Sequence, residues 1–201
     1  MELYIFAGPN GGGKSTLIAQ FIKEYKLTDF EYISPDIYAR TLFSKVSEEK
    51  EKYQKAFDYA EKVRTFMLDN NKSMIIETVN STANKFDFYK QCIEKGYKVT
   101  VVFVGTKGFE INIQRVAKRV QEGGHNVDTE KIKSRYFKSM ELLFPLTLFS
   151  DNLFIYDNSD KFELCVLKKN NTYKYIAQNL PKWVNKYFIE KLNEEGLAFF
   201  V

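Results

Sequence analysis

The 201 residues suffice for one compact α/β domain, and a mix of 44% hydrophobic and 28% charged residues excludes a disordered or membrane-spanning chain. With 30 basic against 26 acidic residues the net charge is only +4, spread along the chain as solvated surface, so no nucleic-acid partner is expected. No run approaches the ~20 apolar residues of a membrane span, the N-terminus lacks the parts of a signal peptide, and Cys92 and Cys165 have no CxxC or Cys/His spacing; the expectation is a cytoplasmic protein without membrane, disulfide or zinc.

Leu3 to Ala7 is an unbroken apolar run ending in glycine, the pattern of a strand buried on both faces of a parallel sheet. After the glycines, Leu17, Ile18, Phe21, Ile22 and Tyr25 recur at helical spacing and predict a helix ending near Lys26. A short strand at Tyr32 and Ile33 runs into Ser34-Pro35-Asp36, which sets Asp36 at a strand's carboxyl end, where it can open the next helix. Residues 37 to 70 contain neither Gly nor Pro and suit one or two covering helices.

Met74 to Val79 reads as a further buried strand whose polar end begins at Glu77, and Lys85 to Lys95 as a helix stopped by Gly96. Val99 to Val104 is another strand, followed by a helix from Phe109 to Val120 with Arg115 and Arg119 on one face. Gly123-Gly124-His125 breaks that helix and Ile132 to Leu143 resumes the pattern with Arg135 inside it, a helix–turn–helix suited to a lid. Asn152 to Tyr156 reads as the last core strand, Phe162 to Ala177 as a hairpin around Lys169-Asn170-Asn171, and Trp183 to Leu192 as a closing helix. Strands and helices alternate without repeat or linker, so the fold class is α/β with a parallel sheet, and residues 1–201 read as one domain.

The chemistry is concentrated at Gly8-Pro9-Asn10-Gly11-Gly12-Gly13-Lys14-Ser15-Thr16, which fits G-x-x-x-x-G-K-[ST] between a strand and a helix, the context that motif requires. Glycines let backbone N–H groups turn toward phosphate oxygens, and the helix N-terminus adds partial positive charge. Lys14 is expected on the β- and γ-phosphates of ATP, and the Ser15 hydroxyl on Mg2+. The loop alone leaves transport ATPases, GTPases and small-molecule kinases open. Gly-Pro-Asn-Gly-x-Gly-Lys-Ser-Thr also resembles the loop of ABC transporter ATPases, but the chain is short for such a domain and has neither a Leu-Ser-Gly-Gly signature nor a strand ending in Asp-Glu.

With Ser34-Pro35-Asp36 after the second strand, Ile76-Glu77-Thr78 ending the third, and Arg119-Val120-Gln121-Glu122-Gly123-Gly124-His125-Asn126-Val127, the chain resembles the zeta-toxin-like P-loop kinases from Met1 to about Ser159. Ser34 stands where that family usually has Asn. The resemblance implies a P-loop NTPase three-layer sandwich, a central mostly parallel sheet with a helical lid, and leaves residues 160–201, read above as a C-terminal hairpin and helix, outside the match. It implies transfer of the ATP γ-phosphoryl group to a hydroxyl of a small molecule, in the best-known members a UDP-N-acetylhexosamine, and an antitoxin protein as partner. By the same resemblance Lys14 and Ser15 hold the triphosphate and Mg2+, Asp36 acts on the acceptor hydroxyl, Glu77 helps hold the acceptor, and lid arginines meet the transferring phosphate.

Each residue also has a plainer reading. Asp36 is a candidate base because phosphoryl transfer needs a group to orient or deprotonate the nucleophile, yet a helix N-cap would use the same side chain. Glu77 can bind the acceptor or act on Mg2+ through water, with Thr78 as a weaker neighbour, or merely mark where a strand turns polar. Arg119 and Arg135, with Arg115 in reserve, are candidates for transition-state contacts, against the ordinary fate of helical arginines in solvent. His125 reads as an ordering residue of the lid turn, and the aromatics of residues 53–66 as packing. A kinase for another acceptor, such as an antibiotic or nucleoside, and a regulatory nucleotide-binding module or ATPase acting on a protein both stay open.

Overall fold

The computed structural model describes residues 1–124 and 126–196. Seven strands form one sheet in the order β2-β3-β1-β4-β5-β6-β7. The first five in that order, β2 (Glu31–Ile33), β3 (Met74–Thr78), β1 (Glu2–Ala7), β4 (Lys98–Gly105) and β5 (Asn152–Asp157), run parallel. The remaining two, β6 (Glu163–Lys169) and β7 (Thr172–Ile176), continue the sheet antiparallel. Their turn falls at Asn170 and Asn171, both with φ in the left-handed region (48° and 60°), as a two-residue hairpin turn demands.

The apolar runs are continuous because successive side chains serve opposite faces of the sheet. Phe6, Ile75, Val102, Val104 and Phe154 point to one face, where α1 (Lys14–Glu24) lays Leu17, Ile18 and Phe21 on them. Leu3, Ile5, Ile76, Val101, Phe103 and Ile155 point to the other, thicker side. That side is covered by α2 (Pro35–Arg40), α3 (Glu49–Asp69), α4 (Phe86–Glu94), α6 (Thr129–Glu141), α7 (Leu143–Thr147) and a C-terminal helix α8 at 182–194. Between them, α5 (Phe109–Gln121) connects the β4 end to α6.

Two elements differ from the sequence reading. Asn152 to Tyr156 is not the last core strand, because β6 buries Cys165 and Val166 on the same sheet. The closing helix contains a π segment, Asn185–Ile189, between two short α turns, a change of period that hydrophobic spacing does not reveal. Among the described residues no helix is long and apolar enough to cross a membrane.

Register decides what meets at the site. Ile33 lies beside Ile76, Phe6 beside Glu77, and Ala7 between Thr78 and Phe103. The chain leaving β1 into the glycine loop, β2 into Ser34-Pro35-Asp36 and β3 at Glu77-Thr78 therefore reaches the same carboxyl edge. In open α/β sheets that edge is where ligands bind.

Candidate functional site

The glycine loop wraps the N-terminus of α1. Gly11 has φ +72°, and a Cβ there would lie 2.7 Å from the Asn112 carbonyl oxygen, so both conformation and space require glycine. Lys14, only 6% exposed, turns its ammonium back into the loop and donates to the Gly8 and Pro9 carbonyls at 2.9 and 3.1 Å. Burial holds that ammonium below its ordinary range, against the pull of the Glu77 and Asp36 carboxylates and with help from Arg119.

Ser15 Oγ, on the first turn of α1, donates toward both Glu77 carboxylate oxygens, at 3.2 and 3.4 Å. Glu77 Oε1 lies 3.9 Å from Lys14 Nζ, and Oε2 accepts a 2.5 Å hydrogen bond from the Tyr32 hydroxyl. Burial and the adjacent carboxylate push the Tyr32 phenol strongly up, so it stays protonated and donates. Thr78 is buried, and its hydroxyl oxygen accepts from the Asn80 N–H (3.1 Å) and from Lys85 Nζ (3.3 Å), which shapes the turn after β3.

Asp36 is half-buried and occupies the second position of α2 rather than its N-cap. Ser34 precedes the helix with extended φ −132° and Pro35 takes the first helical position. The capping alternative for Asp36 is thereby removed, because the chain enters the helix at proline.

Arg119 and Arg135 face the cleft with Lys14, Asp36 and Glu77. The turn between α5 and α6 is built to stop a helix: the Gly123 N–H bonds the Val120 carbonyl and the Gly124 N–H the Arg119 carbonyl, with Gly123 at φ +84°. A Cβ on Gly124 would lie 2.5 Å from Arg119 Cγ, so the second glycine makes room for the arginine stem. His125 lies outside the described residues. Below the turn, α6 is pinned to the segment that follows β4 by the Tyr136 hydroxyl, which donates to the Thr106 carbonyl at 2.7 Å. Arg115 lines the cleft too, but its guanidinium is engaged by the carbonyls of Asn158 and Ser159 at 2.8 and 3.1 Å.

The cleft that joins these groups has a volume of about 890 Å³ and also receives Asn10, Gly11, Gly13, Thr16 and Thr78 from the predicted set. Among the described residues no group of three or more His, Cys, Asp or Glu side chains forms a metal cage.

Sequence reasoning missed the groups that brace the loop from behind. Asn112, fully buried in α5, donates to the Asn10 carbonyl at 2.6 Å and accepts from the Thr106 hydroxyl at 2.5 Å. Asn158, after β5, donates to the Gly12 carbonyl at 2.8 Å. Asn112 had a signal, a polar residue on the buried stripe that Val116 continues one turn on; Asn158 had none.

Comparison with known proteins agrees with this architecture. A family model described as an AAA domain (AAA_33) matches residues 3–141. A chain of the AvrRxo1-ORF1:-ORF2 complex with ATP superposes with a TM-score of 0.70 at 13% identity, over 96% of this chain and 62% of that one. The present chain thus spans less than two thirds of that relative's length. A chain of the PezAT chromosomal toxin–antitoxin system of the human pathogen Streptococcus pneumoniae superposes with a TM-score of 0.63 at 14% identity, over 98% of this chain and 84% of that one. At these identities the likeness is one of fold. No curated protein sequence matches the chain.

Proposed function

The chain belongs to this AAA-domain family, and from that premise we propose that it is an ATP- and Mg2+-dependent phosphotransferase acting on a hydroxyl of a small metabolite, a UDP-N-acetyl sugar being the favoured acceptor. The observation that carries the proposal is convergence: Lys14, Ser15, Asp36 and Glu77 leave three adjacent strand ends into one cleft that two arginines face. A nucleotide switch needs the loop; a carboxylate and two extra arginines at a second wall serve a transfer reaction better. Residues 1–201 are read as one kinase domain, with the part that resembles the zeta-toxin-like kinases in about residues 1–159.

In this reading the triphosphate lies along Gly8–Thr16, with backbone N–H groups and Lys14 on its outer oxygens. Mg2+ fits the donor set, since the Ser15 hydroxyl and Glu77 carboxylate are hard oxygens 3.2 Å apart and this ion takes one or two protein oxygens and completes its shell with water and phosphate. Bound there, it would supply neutralisation of the triphosphate charge. The assignment moves Glu77 from acceptor holding to the metal side of the cleft. Asp36 accepts the proton of the acceptor hydroxyl, whose oxygen bonds the γ-phosphorus as the bond to the β–γ bridging oxygen breaks and ADP leaves. Arg119 and Arg135 neutralise the equatorial oxygens, where one such contact contributes about 10³ in rate.

A protein partner belongs to the reading as well, because two fold relatives are described as a two-protein complex and a toxin–antitoxin system. The test follows γ-labelled phosphate from ATP into a panel of UDP-sugars, nucleosides and aminoglycosides, with Lys14→Ala and Asp36→Ala beside the parent protein. Label in one acceptor, abolished by Lys14→Ala and reduced about 10²- to 10⁴-fold by Asp36→Ala, is expected. Label reaching only water would replace this reading with an ATPase acting on a partner.

A further inference from the structure

Opposite the phosphate loop the same cleft is walled by α3 and by the start of α4, and three cations line that wall, the exposed Lys50 and two that turn inward, Arg64 and Lys85. Arg64 lies on the buried stripe of α3 among Ala56, Ala60, Met67 and Leu68, with its side chain only 4% exposed. Its ion-pair partner among the described residues is Glu61, whose own side chain is 66% exposed and so spends most of its field in water. Lys85 occupies the N-cap position of α4, where the helix dipole disfavours a cation and a Ser, Thr, Asp or Asn would be the ordinary choice. Its ammonium reaches inward to the Thr78 hydroxyl at 3.3 Å instead of outward to solvent.

A buried guanidinium with one solvated partner, beside a lysine at the wrong end of a helix, is an arrangement that packing alone does not favour. An anion placed between them removes the cost of all three features at once: desolvation, mutual repulsion and dipole. Resting on the transferase reading above, we propose that Arg64 and Lys85 form an anion-reading subsite for the acceptor, so that the metabolite phosphorylated beside Asp36 must carry a phosphate or carboxylate group. Burial, and after it the field of Arg64, hold the Lys85 ammonium down to about 8, with Glu61 pulling the other way. A UDP-sugar meets the requirement through its diphosphate. Uncharged nucleosides and cationic antibiotics do not, so the subsite narrows the acceptor class that the phosphate loop leaves open.

The experiment loads the phosphate loop with a saturating non-hydrolysable ATP analogue and Mg2+, then titrates inorganic pyrophosphate and, separately, citrate by calorimetry into parent, Lys85→Met and Arg64→Lys proteins. The analogue's own affinity and the far-ultraviolet circular dichroism of each variant report folding, and Lys85→Met, on the half-exposed residue, serves if Arg64→Lys folds poorly. Binding of one anion equivalent to the parent, weakened at least tenfold by Lys85→Met with the analogue's affinity unchanged, is expected. Pyrophosphate alone identifies a phosphate-bearing acceptor and citrate alone a carboxylate-bearing one. No binding to the loaded parent protein, or equal binding to parent and variants, overturns the subsite. Because no turnover is measured, anion binding by a protein whose label reaches only water would keep the subsite and discard the transferase.

Discussion

Removing the Asn112 side chain tests whether the phosphate loop is held from behind. In Asn112→Ala the Thr106 hydroxyl keeps an acceptor, the Gly108 carbonyl at 3.2 Å, but the Asn10 carbonyl loses its buried donor. One orphaned, partly buried carbonyl costs about 1–3 kcal/mol, and the small cavity left by a fully buried side chain adds about 1 kcal/mol. The sum, about 2–4 kcal/mol, corresponds to a fall in Tm of roughly 5–12 °C for a chain of this size. The freed loop crest must also be ordered by its ligand, so ADP should bind about tenfold more weakly, equivalent to about 1.4 kcal/mol. Thermal denaturation by circular dichroism and ADP titration of the same samples measure both. Asn112→Asp, which keeps volume but sets a carboxylate against the Asn10 carbonyl, should lose at least as much affinity. A large drop in Tm with ADP affinity unchanged would refute the bracing argument and leave Asn112 a purely structural residue.

Lys85→Met should raise stability near neutral pH. The depression from 10.5 to about 8 corresponds to a penalty of about 3 kcal/mol. It is carried below pH 8, where the lysine is charged in both folded and unfolded chains, and relieved as pH rises toward 10.5, where only the unfolded chain still holds the proton. After loss of the Thr78 hydrogen bond, a gain of about 1–2 kcal/mol is expected at pH 7, shrinking above pH 8 in urea unfolding curves; a loss at pH 7 would contradict it. Tyr32→Phe removes the 2.5 Å bond that aims Glu77. It should cost about 1.5–3 kcal/mol of stability and raise severalfold the Mg2+ concentration giving half-maximal ADP binding, read by titration at fixed ADP; an unchanged Mg2+ requirement would leave Tyr32 outside metal positioning.

Much of the sheet was legible because its signals are local. The apolar run Leu3 to Ala7 followed by Gly8 to Ser15 needs no distant partner to be read, and the same holds for Met74–Ile76 ahead of Glu77 and for the Asn170-Asn171 turn. The π segment at Asn185–Ile189 was not legible, because one extra residue in a turn depends on how Trp183 and Phe188 pack, not on spacing. Arg64 had a faint signal as the charged member of an otherwise apolar stripe, as Asn112 did.

By itself, then, the sequence determined the order of elements, the phosphate loop and the acids at the ends of β2 and β3, all of which follow from periodicity and from motifs spanning a few residues. Tertiary structure alone decided which of these groups meet. Strand order set Ser15 against Glu77 across 62 residues, Asn158 against Gly12 across 146, and the guanidinium of Arg115 against the backbone after β5. Hydrogen bonds reach about 3 Å regardless of separation along the chain, so which acid meets Ser15, which arginine is held by backbone carbonyls and which cations share the cleft are fixed only when the sheet brings distant ends together.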